Sequence, residues 1–308
     1  MSRSAGTGVP GPAAPSARER LDGPASALMV LLCAVWGLQQ VAIKVAVAGI
    51  SPLLQAGIRS AGAGALVLAW SALRGVPLLR SDRTLLPGAV TAALFSAEFA
   101  LIYAGLGITA ASRGVIFLYT APFMVALGAL RWLPSERMRR VQWLGMCLAF
   151  LGVVVLFGEN LLRPSDGAWV GDLMILCAAA MWAATTLVIK ASSLAAAPPE
   201  KVLLYQLAGS AAALPAASVA LGERGVTRLT PVVAASLAFQ IAVVASASYL
   251  AWFWLVARYP ATRLSAFSFL APVMGVVAGA ALLGEPLTAG VLLALALVAG
   301  GIWLANAV

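Results

Sequence analysis

The chain has 308 residues, 62% of them hydrophobic and 10% charged, with a mean hydropathy of +0.98. Soluble domains carry about a quarter of their residues as charges, so this composition excludes one and asks for a lipid environment. The net charge is +9 and there is no histidine, which removes histidine-based acid–base catalysis, histidine metal sites and histidine proton relays together.

Residues 1–24 are rich in Ser, Gly, Pro, Ala and Arg and hold no apolar stretch, so they read as a disordered cytoplasmic tail. After them, Gly, Pro and charges divide the chain into ten apolar stretches, each near the ~20 residues that cross the hydrocarbon layer. The first five run over 27–48, 52–73, 85–107, 112–132 and 140–157, and the second five over 170–191, 199–221, 231–256, 262–283 and 287–306. Strand-like alternation is absent, and a backbone in lipid must satisfy its own amides, so each stretch is predicted to be a helix. The first span is expected to stay in the mature chain, because Trp36, Gln39, Gln40 and Lys44 have counterparts in the sixth.

Those counterparts belong to a repeat. Trp36-Gly-Leu-Gln-Gln-Val-Ala-Ile-Lys44 recurs in outline as Trp182-Ala-Ala-Thr-Thr-Leu-Val-Ile-Lys190, a step of 146 residues from 36 to 182. Arg59 maps onto Gln206 and Gly62 onto Gly209 with a step of 147; Glu136 maps onto Glu285 with 149, and Arg113 onto Arg263 and Pro122 onto Pro272 with 150. Five spans per unit is an odd number, so the second unit, 168–308, must lie upside down relative to the first, 25–158, and two inverted halves can clasp one central site. The predicted fold class is an all-α polytopic membrane protein, with ten transmembrane helices as two inverted five-helix repeats around a central cavity.

The positive charge follows this topology. With the amino terminus in the cytoplasm, fourteen of the 20 Lys and Arg residues fall on the inner side, five on the outer side, and Arg59 within a span. That asymmetry obeys the positive-inside rule, places both termini in the cytoplasm, and needs no nucleic acid to explain it. The expected location is a bacterial-type inner membrane. Cys33, Cys147 and Cys177 are scattered in apolar stretches and read as small hydrophobes rather than disulfide or metal ligands. No G-x-x-x-x-G-K-[ST] phosphate loop is present. No cofactor is implied.

Charges inside spans each ask for a partner or a water-filled cavity. Glu98, deep in the third span, suits a substrate ammonium or a coupling proton, or else a structural hydrogen bond. Lys44 and Lys190 fall late in their helices, where a cation complements the carbonyl-end dipole and a long stem reaches the interface. Gln40 and Thr186 lie one turn before them, so the same faces also suit a substrate carboxylate approached from opposite sides. Arg113 and Arg263 open the fourth and ninth spans, where anchoring to lipid headgroups is the expected duty and bidentate carboxylate pairing the alternative. Asp172 and Ser26 are expected to cap the amino ends of the sixth and first helices.

Trp36, Tyr103, Tyr119, Trp182, Tyr249, Trp252 and Trp254 sit in helix bodies more than an interface belt requires. Some should face inward, with Gln39, Gln40, Thr185 and Thr186 offering hydrogen bonds to an amphipathic small molecule. Pro122 and Pro272 lie about ten residues into their helices, where a missing amide proton allows a kink and a pivot.

Taken together, Gly171-Asp172-Leu173 followed by Trp182 and Lys190, the pairs Ala121-Pro122 and Ala271-Pro272, and Gly284-Glu285-Pro286-Leu287 resemble the EamA-type drug/metabolite transporters, and within them the YddG-like amino-acid exporters. The first half departs from the family pattern, with Pro134-Ser135-Glu136-Arg137 where Gly-Glu-Arg is common. The resemblance implies a secondary transporter that exports small metabolites, amino acids including hydrophobic or aromatic ones, by alternating access. Nucleosides, sugars or cationic drugs are the alternative substrates, and a small-solute channel the alternative class. An enzyme is not expected. The partners are a small-molecule substrate and membrane lipid, and a monomer suffices.

Overall fold

A computed structural model describes residues 21–80, 82–158, 166–283 and 289–306. The tail up to residue 20, Arg163 and the Gly284 to Leu287 motif lie outside the described residues. Among the described residues, ten helices are long and apolar enough to cross a membrane: α1 Gly23–Val47, α2 Pro52–Leu73, α3 Leu85–Leu106, α4 Ala111–Trp132, α5 Arg140–Phe157, α6 Ala168–Ala191, α7 Pro199–Ala220, α8 Pro231–Val256, α9 Ala261–Leu282 and α10 Ala289–Asn306. Large apolar side chains such as Leu68, Leu144, Leu151, Leu292 and Trp303 point outward, as a bundle solvated by lipid requires. The chain is therefore an integral membrane protein.

Local chemistry sets the helix starts. Prolines occupy the first turns of α1, α2, α7 and α8, where their fixed φ suits the helix and the missing N–H is not needed. Asp22, not Ser26, caps α1: its Oδ1 accepts from the Ala25 amide at 2.9 Å. The acid one residue ahead of the Gly-Pro start outcompetes a serine already inside the first turn. At α6 the cap position is Gly167, at φ +76°, and Asp172 lies a turn further in with its carboxylate turned to another helix.

The packing repeats when every helix number is advanced by five. α1 packs on α9 as α6 does on α4, α3 packs on α6 as α8 does on α1, and α3 packs on α7 as α8 does on α2. The pairs α2–α7 and α5–α10 map onto themselves. Glycines bring α5 and α10 into backbone contact: a Cβ on Gly145 would stand 2.4 Å from the Ala305 nitrogen, and one on Gly301 2.4 Å from the Ala149 nitrogen. In a bilayer, where apolar burial alone does not join helices, such small-residue contacts supply the packing energy.

Pro122 and Pro272 mark real breaks, whereas Pro215 sits inside the continuous α7. α4 divides into Ala111–Leu118 and Ala121–Trp132, and α9 into Ala261–Phe267 and Leu270–Leu283. Pro122 and Pro272 cannot donate, and their rings crowd the carbonyls one turn back. Matching hydroxyls serve the loosened turns: Thr120 Oγ1 donates to the Phe117 carbonyl and Ser268 Oγ to the Ser265 carbonyl, each at 2.6 Å. In α8, residues Gln240–Ser248 form a π-helical stretch, a rare form often found at functional sites.

Candidate substrate site

The wider turns of α8 end at Tyr249 and lead into Trp252, and α1 and α3 bring further rings to them. Trp36 Nε1 donates to Ser248 Oγ at 3.0 Å, and its ring meets Trp252 edge-on at 5.6 Å. Phe95 packs on Phe99 at 4.9 Å and on Tyr249 at 6.4 Å, and Phe99 on Tyr103 at 6.4 Å. Gln39 is buried beside this group and within polar reach of the Tyr249 hydroxyl. Glu98 belongs to the same level of α3 and is 8% exposed.

From α2 comes a residue that the sequence marked only as a charge within a span. Arg59 is 1% exposed, its guanidinium stacks over the Phe99 ring at 4.5 Å, and it lies within electrostatic range of Glu98, Tyr103 and Tyr249. The rule that an intramembrane charge is functional until explained was the signal available. A few residues away, Gln55 Nε2 donates to Gln240 Oε1 at 2.9 Å, a buried amide pair joining α2 to the π-helical stretch.

Tyr119 and Trp182 meet edge-on at 5.9 Å in a second aromatic group. It includes Phe269, 6.3 Å from Tyr119, and Phe123, 6.1 Å from Phe269. Among the described residues no ring pair joins the two groups. Thr186 Oγ1 donates to the Trp182 carbonyl at 3.2 Å, whereas the buried Thr185 hydroxyl has no partner among the described residues. Gln40 and Lys44 are exposed on α1, with the Gln40 stem 3.7 Å from where a Cβ on Gly275 would stand. Trp254 faces outward, with the Arg258 guanidinium 4.3 Å from its ring, as befits an interface residue rather than a cavity wall.

Ion pairs fasten both ends of the bundle. At the face of the amino terminus, Lys190 Nζ pairs with Glu136 Oε1 at 2.8 Å and donates to the Val256 and Tyr259 carbonyls at 3.1 and 3.0 Å. The other Glu136 oxygen accepts from the Ala261 amide at 2.6 Å. One carboxylate thus ties α6 to the α8–α9 corner. On the same face Lys201 Nζ pairs with Asp82 at 3.0 Å, and the Thr84 hydroxyl and Lys201 hold the Asp82 carboxyl below the usual range.

At the opposite face Arg113 departs from the expected headgroup anchoring. It is buried, and it forks onto Asp172 through Nε to Oδ1 at 3.2 Å and Nη2 to Oδ2. Thr109 Oγ1 donates to the same carboxylate at 2.7 Å. Asp172 is thereby the partner of Arg113 and not a helix cap. Its distance in sequence hid the pair, since a local reading saw only an acid near one helix start and a base near another. Arg263 donates Nη1 to the Asn306 carbonyl at 3.3 Å. Glu223 accepts from the Leu53 and Leu54 amides at 3.1 and 3.2 Å and from Ser218 Oγ at 2.7 Å. Partial burial pushes its carboxyl up, but these donors outweigh it and leave the pKa below the ordinary carboxylate value.

A ten-helix membrane bundle, packed with a five-helix periodicity and holding polar and aromatic groups at mid-span, defines the class of a polytopic transporter. Comparison with known proteins agrees. The EamA-like transporter family matches residues 24–158 and again 169–307. A probable amino-acid metabolite efflux pump of Salmonella typhimurium is 31% identical over 90% of this chain and 93% of its own length. The protein of that same name from Escherichia coli is 29% identical over 92% and 94%, and the uncharacterized transporter YvbV of Bacillus subtilis 28% over 91% and 90%. A solved crystal structure superposes with a TM-score of 0.77 over 91% of this chain and 97% of that one, at 22% identity, a likeness of fold alone. The chain belongs to the EamA-like transporter family, and it is a transporter rather than an enzyme.

Proposed function

We propose that this protein is a secondary transporter that exports small metabolites, foremost amino acids with hydrophobic or aromatic side chains, across a bacterial inner membrane by alternating access. The observation that carries this reading is the mid-span group of Trp36, Gln39, Glu98, Tyr103, Tyr249 and Trp252, where ring faces adjoin polar groups inside a family of transporters. Rings suit an apolar side chain, and the polar groups suit a charged head. The two efflux-pump relatives support amino acids as the substrate class.

Alternating access is supported by the packing. Five spans per unit force an inverted pair, and the five-helix periodicity of contacts is what a pseudo-two-fold axis in the membrane plane produces. The breaks before Pro122 and Pro272 are equivalent under that axis and supply hinges. The Lys190–Glu136 and Arg113–Asp172 pairs sit at opposite ends of the bundle, where each gates one face. Tyr119 of the first repeat and Trp182, Thr185 and Thr186 of the second belong to the half of the pathway that α4 and α6 line. Both termini are cytoplasmic in this scheme.

Counterflow in proteoliposomes tests the reading. Vesicles loaded with an unlabelled amino acid should accumulate the labelled one transiently and saturably. An inert result across the amino acids removes this substrate class, and non-saturating flux that carries current in a planar bilayer assigns the protein to the channels instead.

A further inference from the structure

One charge of the central group has no explanation in the fold. Arg59 is the eighth of the 22 residues of α2, yet none of its three guanidinium nitrogens has a hydrogen-bond partner among the described residues. A guanidinium offers five N–H donors and stays charged at any physiological pH, so leaving all of them without a protein acceptor within a span is a costly arrangement. Stacking on Phe99 satisfies the plane of the group and none of its edge.

Glu98 of α3 lies within electrostatic range of it. Arg59 lies seven residues inside the start of α2, and Glu98 eight residues before the end of α3. Both ends are on the face away from the amino terminus, so the two charges lie about 10–12 Å deep at 1.5 Å per residue. Their fields overlap, but no hydrogen bond joins them. Arg59 and Glu98 thus give the ring group of Phe95, Phe99 and Tyr249 two unlike polar ends, a basic one and an acidic one.

Resting on the exporter reading of this same site, we propose that Arg59 and Glu98 read the head group of a zwitterion: Arg59 takes the α-carboxylate of a free α-amino acid and Glu98 its α-ammonium. A carboxylate matches the guanidinium fork with two parallel hydrogen bonds. The ammonium meets the Glu98 carboxylate and the adjoining ring faces. A simple amine would face Arg59 unneutralised and a simple acid would face Glu98, so the pair selects against both, and against sugars and nucleosides that present neither charge.

The test is competition in counterflow with the full-length protein, using labelled L-phenylalanine against unlabelled L-phenylalanine, L-phenylalaninamide and 3-phenylpropionate. If another amino acid exchanges faster, it replaces phenylalanine together with its own amide and deaminated acid. The amide lacks the carboxylate and the acid lacks the ammonium, and each should compete roughly ten- to a hundredfold less well, the scale of one lost charge-assisted interaction. Arg59→Gln should erase the preference over the amide, and Glu98→Gln the preference over the acid. Arg59→Lys, which keeps the charge and loses the fork, should give an intermediate ratio and serves if Arg59→Gln does not fold. Equal competition by all three compounds in the unaltered protein overturns the head-group assignment and leaves the exporter reading standing. Variants that keep the original ratios also overturn it, and make the pair a structural one. Failure of every amino acid to exchange removes both readings at once.

Discussion

Removing the Asp172 carboxylate should be among the most damaging single changes at the end of the bundle away from the amino terminus. Asp172 and Arg113 have side chains only 9% and 10% exposed, and Asp172 accepts from Thr109 as well. Asp172→Ala leaves a buried guanidinium without a counter-charge, a situation that costs about 3–5 kcal/mol. Asp172→Asn keeps an acceptor for Thr109 but loses the charge, for a cost of about 1.5–3 kcal/mol. The double change Arg113→Met with Asp172→Leu removes both charges and leaves chiefly the Thr109 hydroxyl without its partner, a cost of about 1 kcal/mol. Unfolding in mixed detergent–SDS micelles, followed by the fluorescence of the nine tryptophans, should rank the double variant closest to the original, then Asn, then Ala. With the single variants Arg113→Met and Asp172→Leu completing a cycle, the coupling should exceed about 2 kcal/mol. If Asp172→Ala lies within about 0.5 kcal/mol of the unaltered protein, the size of an ordinary surface change, the pair is not the buried fastening described.

Neighbouring glycines of α10 give a sharp internal control: Gly301→Ala should lower stability by about 1–3 kcal/mol through overpacking against α5, whereas Gly300→Ala, whose nearest neighbour would be Leu148 at 3.8 Å, should be neutral or mildly favourable in the same unfolding assay. Pro122→Ala and Pro272→Ala restore a donor to each broken helix. Stability should hold or rise while the counterflow rate falls at least about tenfold, if a step requiring the hinge limits transport; an unchanged rate in both variants would remove the hinge role. Acidification should loosen the Glu223 corner. Its carboxyl is held below the ordinary value, so its contribution is fully present above about pH 4.3 and is lost as pH falls through the lower folded value. Stability measured from pH 7 to pH 3 should therefore fall more steeply in the unaltered protein than in Glu223→Gln, and parallel curves would count against the assignment.

Several parts of this protein were settled by one-dimensional information. Helix length follows from the thickness of the hydrocarbon layer, so uninterrupted apolar runs sufficed to locate ten spans to within a few residues, the largest shift being at α1, where Asp22 rather than Ser26 stops the helix. The breaks in α4 and α9 were legible at Pro122 and Pro272, although Pro215 shows that a lost donor alone does not divide a helix. Membership of the transporter family rested on the spacing and order of short motifs along the chain.

Charge pairing was decided only in three dimensions. Asp172 looked like a cap until α4 brought Arg113 to it, and Lys190 looked like an interfacial cation until the α4–α5 loop brought Glu136 and the α8–α9 corner brought two carbonyls. The π-helical stretch of α8 left no mark in the sequence, and Arg59 showed only that a charge was buried, not that its nitrogens would stand unpartnered beside Phe99 and Glu98. The reason is physical: the cost of crossing lipid is summed along the chain and can be read there, whereas the fate of a buried charge depends on which distant helix lies within a few ångströms of it.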